Sequence, residues 1–341
     1  MRKLPKTMNL DDMRSMVSHF PFMLSNSNPS PDLLATCRNY YEEGIEGICF
    51  LGMGGSSIVG FYVSEILSQE SHIPISNVRT YFLPKWISKG WIIIAISYSG
   101  NTEETLSSLK QAKERGSRVV SVTSGGQMAK ESSYYSQVLV QTGIQPRAAF
   151  PLVFSQVLPI SELLIGAGIT DLDKIGDYLI AVSSKWGEWI PTPSVIVEEV
   201  QNRIPLFVGA QHLNPVAYRA KCQFNENSKV VAFFSEVPEA SHNEIEGFPN
   251  HQDSPIIPIF LRSNNEDIQI RRKMDVMTKL YSEIGLNPIN LNAAGNSKIE
   301  NMLSLTHYID TVSVELAVRR GVDAVSVERI GELKKRLASK G

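Results

Sequence analysis

Residues 48–57, Ile48-Cys49-Phe50-Leu51-Gly52-Met53-Gly54-Gly55-Ser56-Ser57, and residues 91–105, ending in Ser97-Tyr98-Ser99-Gly100-Asn101-Thr102-Glu103-Glu104-Thr105, decide how the chain is read. Each is an apolar, strand-like run that breaks into small residues and leads into a helical pattern. After Ser57 that pattern is Ile58, Val59, Phe61, Tyr62, Ile66 and Leu67. Free N–H groups at a helix start attract an anion, glycines let backbone approach it, and hydroxyls add donors without charge. Two such loops side by side form a phosphate cradle with little or no lysine. A dinucleotide fingerprint needs a third glycine, which Gly52, Gly54 and Ser57 leave unfilled. A P-loop needs Gly-Lys-Ser/Thr, and none follows. Ser-x-Ser-Gly-x-Thr-x-Glu is the rarer signal; its plain alternative is a helix cap at Thr102 and Glu103.

Working outward, strands are expected at 48–51, 78–82, 91–96, 118–123 and 137–140, with helices at 57–69, 102–115 and 127–131. Such alternation implies a parallel sheet covered on both faces. Ligands bind beyond the carboxyl ends of its strands, where both serine loops fall. Residues 7–45 read as polar helices broken at Asn26–Pro31. Helical stretches at 150–166 and 171–188 follow the sheet, the second as a connector. Near Pro191-Thr192-Pro193 the plan restarts, with a strand at 204–209 and a helix from Pro215, echoing 48–67. An internal duplication follows: two α/β units, divided as 1–165 and 166–341. The second unit lacks the serine loops. Its strand candidates are 230–234, 256–261 and 288–290, and 298–340 is helical with a break at Gly321-Val322-Asp323.

With 341 residues, 43% hydrophobic, 20% charged and a net charge of −2, the chain reads as an ordinary soluble protein with ample core. No basic excess suggests nucleic acid as a partner. The N-terminal Met1–Lys6 is basic without an apolar region behind it, so it is not read as a signal peptide. No apolar run approaches the roughly 18 residues that span a bilayer. Cys37, Cys49 and Cys222 share no short spacing and read as reduced and structural, consistent with a cytoplasmic protein. Six scattered histidines form no metal-binding pair, and neither a metal nor a cofactor is expected.

Three further stretches carry chemistry-bearing residues. Gly143-Ile144-Gln145-Pro146-Arg147 puts an arginine in a turn after the last strand of the first unit; it reads equally as a solvated loop arginine. Asn225-Glu226-Asn227-Ser228-Lys229 and Ser241-His242-Asn243-Glu244-Ile245-Glu246-Gly247 are polar, turn-rich runs beside apolar strands. Separately, Glu226 reads as a turn cap and His242 as a core histidine.

The two serine loops together resemble the sugar isomerase (SIS) domain, a flavodoxin-like unit that binds phosphosugars. With the three later motifs, in the same order over about 45–335, the chain closely resembles the bifunctional phosphoglucose/phosphomannose isomerase family. The resemblance implies two flavodoxin-like SIS subdomains and an aldose–ketose isomerase interconverting glucose 6-phosphate and mannose 6-phosphate with fructose 6-phosphate, without metal. It implies that Ser56, Ser97, Ser99 and Thr102 hold the phosphate, with Gly54 and Gly55 giving close backbone approach. It further implies that His242 assists ring opening, Glu226 moves a proton between C2 and C1 of a cis-enediol, and Arg147 faces the enediolate.

These residue types suit that work. A carboxylate shielded from water serves as a base near neutral pH, and a histidine donates and accepts over the same range. A fixed guanidinium stabilises charge as it develops. The family also uses a lysine near the C-terminus; Lys334 and Lys335 both fit, and Lys334 is taken. Where bifunctional members carry a threonine, Val325-Ser326-Val327 offers a serine, also small and hydroxylated. Family membership further implies a homodimer in which His242 crosses to the partner's site. Stretches 150–166 and 303–318 are candidates for that interface. The rivals are an SIS isomerase of another phosphosugar, which leaves the last two motifs unexplained, and a non-catalytic sugar-phosphate regulator, which usually carries a DNA-binding domain.

Overall fold

A strand covered on both faces can be apolar along its whole length. Accordingly β1 (Gly47–Leu51) and β3 (Trp91–Ser97) are buried throughout. The computed structural model describes Pro5 and residues 7–131, 136–248 and 254–339. The basic stretch 1–6, apart from Pro5, lies outside the described residues, as does the last residue of the expected helical span 298–340. β2 (Ile75–Val78), β4 (Arg118–Thr123) and β5 (Ser136–Leu139) complete an all-parallel sheet in the order β2-β1-β3-β4-β5. The second sheet contains β6 (Ile204–Ala210), β7 (Phe233–Val237), β8 (Ile256–Arg262) and β9 (Ile289–Asn292). It too is parallel throughout, in the order β7-β6-β8-β9. Over four strands the two orders coincide, as a duplicated α/β unit requires.

Two strands lie three residues from their expected positions. The one expected at 78–82 occupies Ile75–Val78, and the one expected at 230–234 occupies Phe233–Val237. In both cases apolar residues that suggested the wrong register are exposed: Tyr81 and Phe82 in a loop, Val231 ahead of an edge strand. The helices Pro193–Val200 and Ile268–Glu283 go beyond the sequence expectation. The latter buries Ile270, Met274, Met277 and Tyr281 at helical spacing. Arg271-Arg272-Lys273 interrupt that stripe in the sequence but not on the helix surface.

Between the sheets lies one apolar core shared by both halves. Helices Gly54–Leu67 and Phe150–Leu164 meet Asn214–Gln223 and Lys298–Arg319 there. Smaller clusters back the outer faces, around Ile93 and Leu109 for the first sheet and Phe260 and Met274 for the second. Helix Phe150–Leu164 is buried at every residue, and Lys298–Arg319 is buried over most of its length. This corrects the expectation that 150–166 and 303–318 supply a subunit interface. Their apolar surface is used inside the chain, and they have little left to offer a partner. Among the described residues no helix is long and apolar enough to cross a membrane.

Candidate active site

The first sheet changes direction between β1 and β3, because β1 continues to β2 on one side while β3 leads to β4 on the other. Such a switch point opens a crevice beyond the strand ends. β1 feeds the helix Gly54–Leu67, whose first turn has no side-chain cap. β3 ends at Ser97, and Thr102 stands at the cap position of the helix Glu103–Glu114 without capping it. The Thr102 hydroxyl instead lies 3.0 Å from Ser97 Oγ. The two loops are tied together by the Tyr98 N–H, which donates to Ser56 Oγ at 3.3 Å. Within the second loop the Gly100 N–H donates to Ser97 Oγ (3.1 Å) and the Asn101 N–H to Ser99 Oγ (3.3 Å). Gly100 has φ +69° and sits against the Gly125 carbonyl, so a side chain there would collide with the loop after β4. Ser97 and Thr102 thus meet directly, Ser56 joins them through Tyr98, and Ser99 stays within its own loop, with no lysine or arginine in either loop.

Gly55 leads from the cradle to the next group. A Cβ at that position would sit 3.4 Å from the Pro146 carbonyl oxygen and 3.6 Å from Arg147 Cα. Arg147 is a buried residue, not a solvated loop arginine. Its Nε donates to Asn227 Oδ1 at 2.6 Å, and Nη2 donates to the carbonyls of Ala324 and Val325. The remaining nitrogen, Nη1, donates to Gln145 Oε1 at 3.5 Å and lies 3.7 Å from Glu226 Oε2. Burial pulls the Arg147 pKa below the ordinary arginine value, and the Glu226 charge opposes that shift. Its own carbonyl accepts from Arg219 Nη2 (2.8 Å), and Arg219 is in turn paired with Asp310 on the long C-terminal helix.

Glu226 lies in a π-helical turn, Phe224–Ser228, that extends the helix Asn214–Gln223. Such turns widen a helix by one residue and often mark functional positions. Just after Glu226 the turn is locked: Asn227 Nδ2 donates to Ser313 Oγ, and Ser228 Oγ donates to the Ser313 carbonyl. The Glu226 side chain keeps a third of its surface exposed, while Phe224, Asn227 and Ser228 of the same turn are buried.

Two expected residues are not brought here. His242 is exposed at the end of the turn Glu239–His242, past the edge strand β7. It makes no hydrogen bond or ion pair with the other site residues among those described. Lys334 is exposed on the helix Glu328–Ala338, which begins just after the Ala324–Ser326 segment that touches Arg147. Lys229 is the cation the sequence reading left without a role. Its Nζ donates to the carbonyls of Glu226 and Ser326, and burial lowers its pKa, as does Arg147 beside it. The signal for it was present, since it ends the Asn-Glu-Asn-Ser-Lys motif. The thiols of Cys37 and Cys49 are pushed up to about 12 by burial, far from a reactive range.

Residues 45–155 match the family model described as the SIS domain, and residues 192–337 match the bacterial phospho-glucose isomerase C-terminal SIS domain. Fold and site together define a protein with two SIS domains in one chain. The tagatose-6-phosphate ketose/aldose isomerase structure from Escherichia coli shares that fold, with a TM-score of 0.71 at 13% identity over 96% of this chain and 98% of that one. The chain is 33% identical over 300 residues to the bifunctional phosphoglucose/phosphomannose isomerase of Aquifex aeolicus, covering 86% of this chain and 90% of the relative. It is 31% identical over 244 residues to the D-glucosamine-6-phosphate 4-epimerase of Sulfolobus acidocaldarius, covering 67% and 76%. The chain belongs to the bifunctional phosphoglucose/phosphomannose isomerase family.

Proposed function

We propose that the chain is an aldose–ketose isomerase interconverting glucose 6-phosphate and mannose 6-phosphate with fructose 6-phosphate through a cis-enediol(ate). The observation that carries this reading is the placement of Arg147 and Glu226, 3.7 Å apart, directly beside the cradle at Gly55. The sugar phosphate docks on Ser56, Ser97, Ser99 and Thr102, which fixes the far end of the hexose. Glu226 takes the proton from C2 and returns it to C1, while the carbonyl moves from C1 to C2. Four of the five Arg147 side-chain contacts are to neutral acceptors that hold the guanidinium still. Its charge therefore waits in position for the enediolate oxygen, and none of the stabilisation is spent on reorganisation.

His242 serves as ring opener from the partner subunit of a homodimer. Its exposure past the edge strand β7 supports this. Lys334 completes the site from the helix Glu328–Ala338, which begins just after Ala324–Ser326. The reduced cysteines and the substrate class support a cytoplasmic enzyme of glycolysis and gluconeogenesis. The test is a coupled assay in EDTA: purified protein is given fructose 6-phosphate, and the formation of glucose 6-phosphate and mannose 6-phosphate is followed. Turnover to both is expected. Formation of neither sinks the reading, and C4 epimerisation of glucosamine 6-phosphate in a parallel reaction would replace it.

A further inference from the structure

Asn225-Glu226-Asn227-Ser228-Lys229 supplies the base, and through Asn227 and Ser228 its anchor on the helix Lys298–Arg319. Lys229 closes the motif in a left-handed backbone conformation, φ 56° and ψ 35°, which residues with a long side chain rarely adopt. That conformation folds the side chain back over the turn it ends. Nζ reaches the Glu226 carbonyl and, at 2.7 Å, the carbonyl of Ser326, 97 residues further along the chain. The two preceding carbonyls, Ala324 and Val325, accept from Arg147. Three consecutive carbonyls are thus held by the two cations at the site. Lys229 is the one that bridges them to the peptide of the base itself.

We propose that Lys229 is a positioning residue for the isomerase reaction: its ammonium ties the Glu226 peptide to Ala324–Ser326 and so sets where the carboxylate meets the sugar. This rests on Glu226 being the base, as proposed above. An ammonium suits the task because it donates in three directions and carbonyls accept charge-assisted bonds strongly. A shift of the carboxylate by a fraction of its reach is enough to matter, since misplacement by about 1 Å costs on the order of a hundredfold in rate. The cradle is built from other elements, so phosphate binding does not depend on this bridge.

The experiment compares wild type, Lys229→Met and Lys229→Arg in steady-state kinetics and in amide hydrogen exchange over 224–229 and 322–330. Lys229→Met is expected to lower kcat about 10- to 100-fold, with KM changed less than about threefold, and to speed exchange in both segments together. Lys229→Arg should recover a large part of kcat and of the protection, because it keeps the charge and the donors. Unchanged exchange in Lys229→Met shows that no bridge exists and overturns the proposal. Faster exchange with wild-type kcat also overturns it, leaving only a structural tie. An inactive wild type overturns the isomerase reading instead, while the exchange data still decide whether the bridge exists.

Discussion

The two sheets share one strand order over four strands, yet their switch points are furnished differently. At the first, between β1 and β3, the hydroxyls of Ser97 and Thr102 lie 3.0 Å apart, and the nearby N–H groups of Tyr98, Gly100 and Asn101 meet the uncharged hydroxyls of Ser56, Ser97 and Ser99. At the second, between β6 and β8, the same place is filled. His212 Nε2 lies 3.1 Å from Ser263 Oγ, which donates to Asn301 Oδ1 at 2.7 Å. The Ser263 N–H, just past the strand end, donates to the Glu266 carboxylate at 2.7 Å, and Arg262 pairs with that carboxylate at 3.0 Å. An internal anion sits where a duplicated cradle would have taken a ligand. Duplication copies the backbone; the difference lies in whether the strand-end N–H groups meet neutral hydroxyls or an internal carboxylate. In the second half the carboxylate we propose as base comes from elsewhere, the π-helical turn that carries Glu226.

The largest test of this division of labour is Glu226→Gln. It removes the base but keeps the shape of the turn, and we expect kcat to fall by about 10² to 10⁴ with little change in KM. Near-normal kcat in steady-state assays would move the chemistry out of the second half altogether. Arg147→Met comes next, at about 10² to 10³ in kcat, because a fixed charge beside the enediolate is lost. That variant also strands Asn227 and two carbonyls, so its melting temperature should drop too, and activity should be read below the melt.

The two switch points can be compared directly with a pair of matched serine variants. Ser97→Ala should raise KM for the phosphosugar by about tenfold, the worth of one hydrogen bond to a charged group. Ser263→Ala should leave KM alone and lower stability by about 1 kcal/mol, as for a buried side-chain bond. Equal KM effects would mean that both crevices bind substrate. A last test concerns pH and touches stability alone. Burial holds the His212 pKa at about 4, with Lys298 lowering it further, against a usual 6.5. The folded chain therefore keeps His212 neutral while the unfolded chain protonates it, and stability is lost as pH falls from 6.5 towards 4. His212→Gln should flatten that limb by about 1 kcal/mol per pH unit in denaturant titrations. His307, also lowered to about 4, will keep part of the slope.

Much of the fold was legible because its signals are local. Fully apolar runs such as Trp91–Ile96 announce a covered parallel strand, and the small-residue loops after them announce helix starts. The legibility failed where apolar residues face solvent, as Tyr81 and Phe82 do, and where charges hid a stripe, as in Ile268–Glu283. Of the expected site, the hydroxyls and the Arg147–Glu226 pair come together within one chain. His242 and Lys334 do not, and nothing local in the sequence distinguishes them from the residues that do.

By itself the sequence determined a repeated α/β plan, the family, and which loops carry hydroxyls and which motifs carry acid, base and guanidinium. These follow from residue type and from periods of two to four positions. Only the tertiary structure decided that Arg147 is buried against Asn227, 80 residues away, and that the carbonyls of Ala324–Ser326 are held by two cations. It also decided that the strand-end N–H groups meet neutral hydroxyls at one switch point and an internal carboxylate at the other. The reason is that such contacts depend on how the helices Phe150–Leu164 and Lys298–Arg319 pack through the shared core. That packing is set by the whole chain at once and by no single stretch of it.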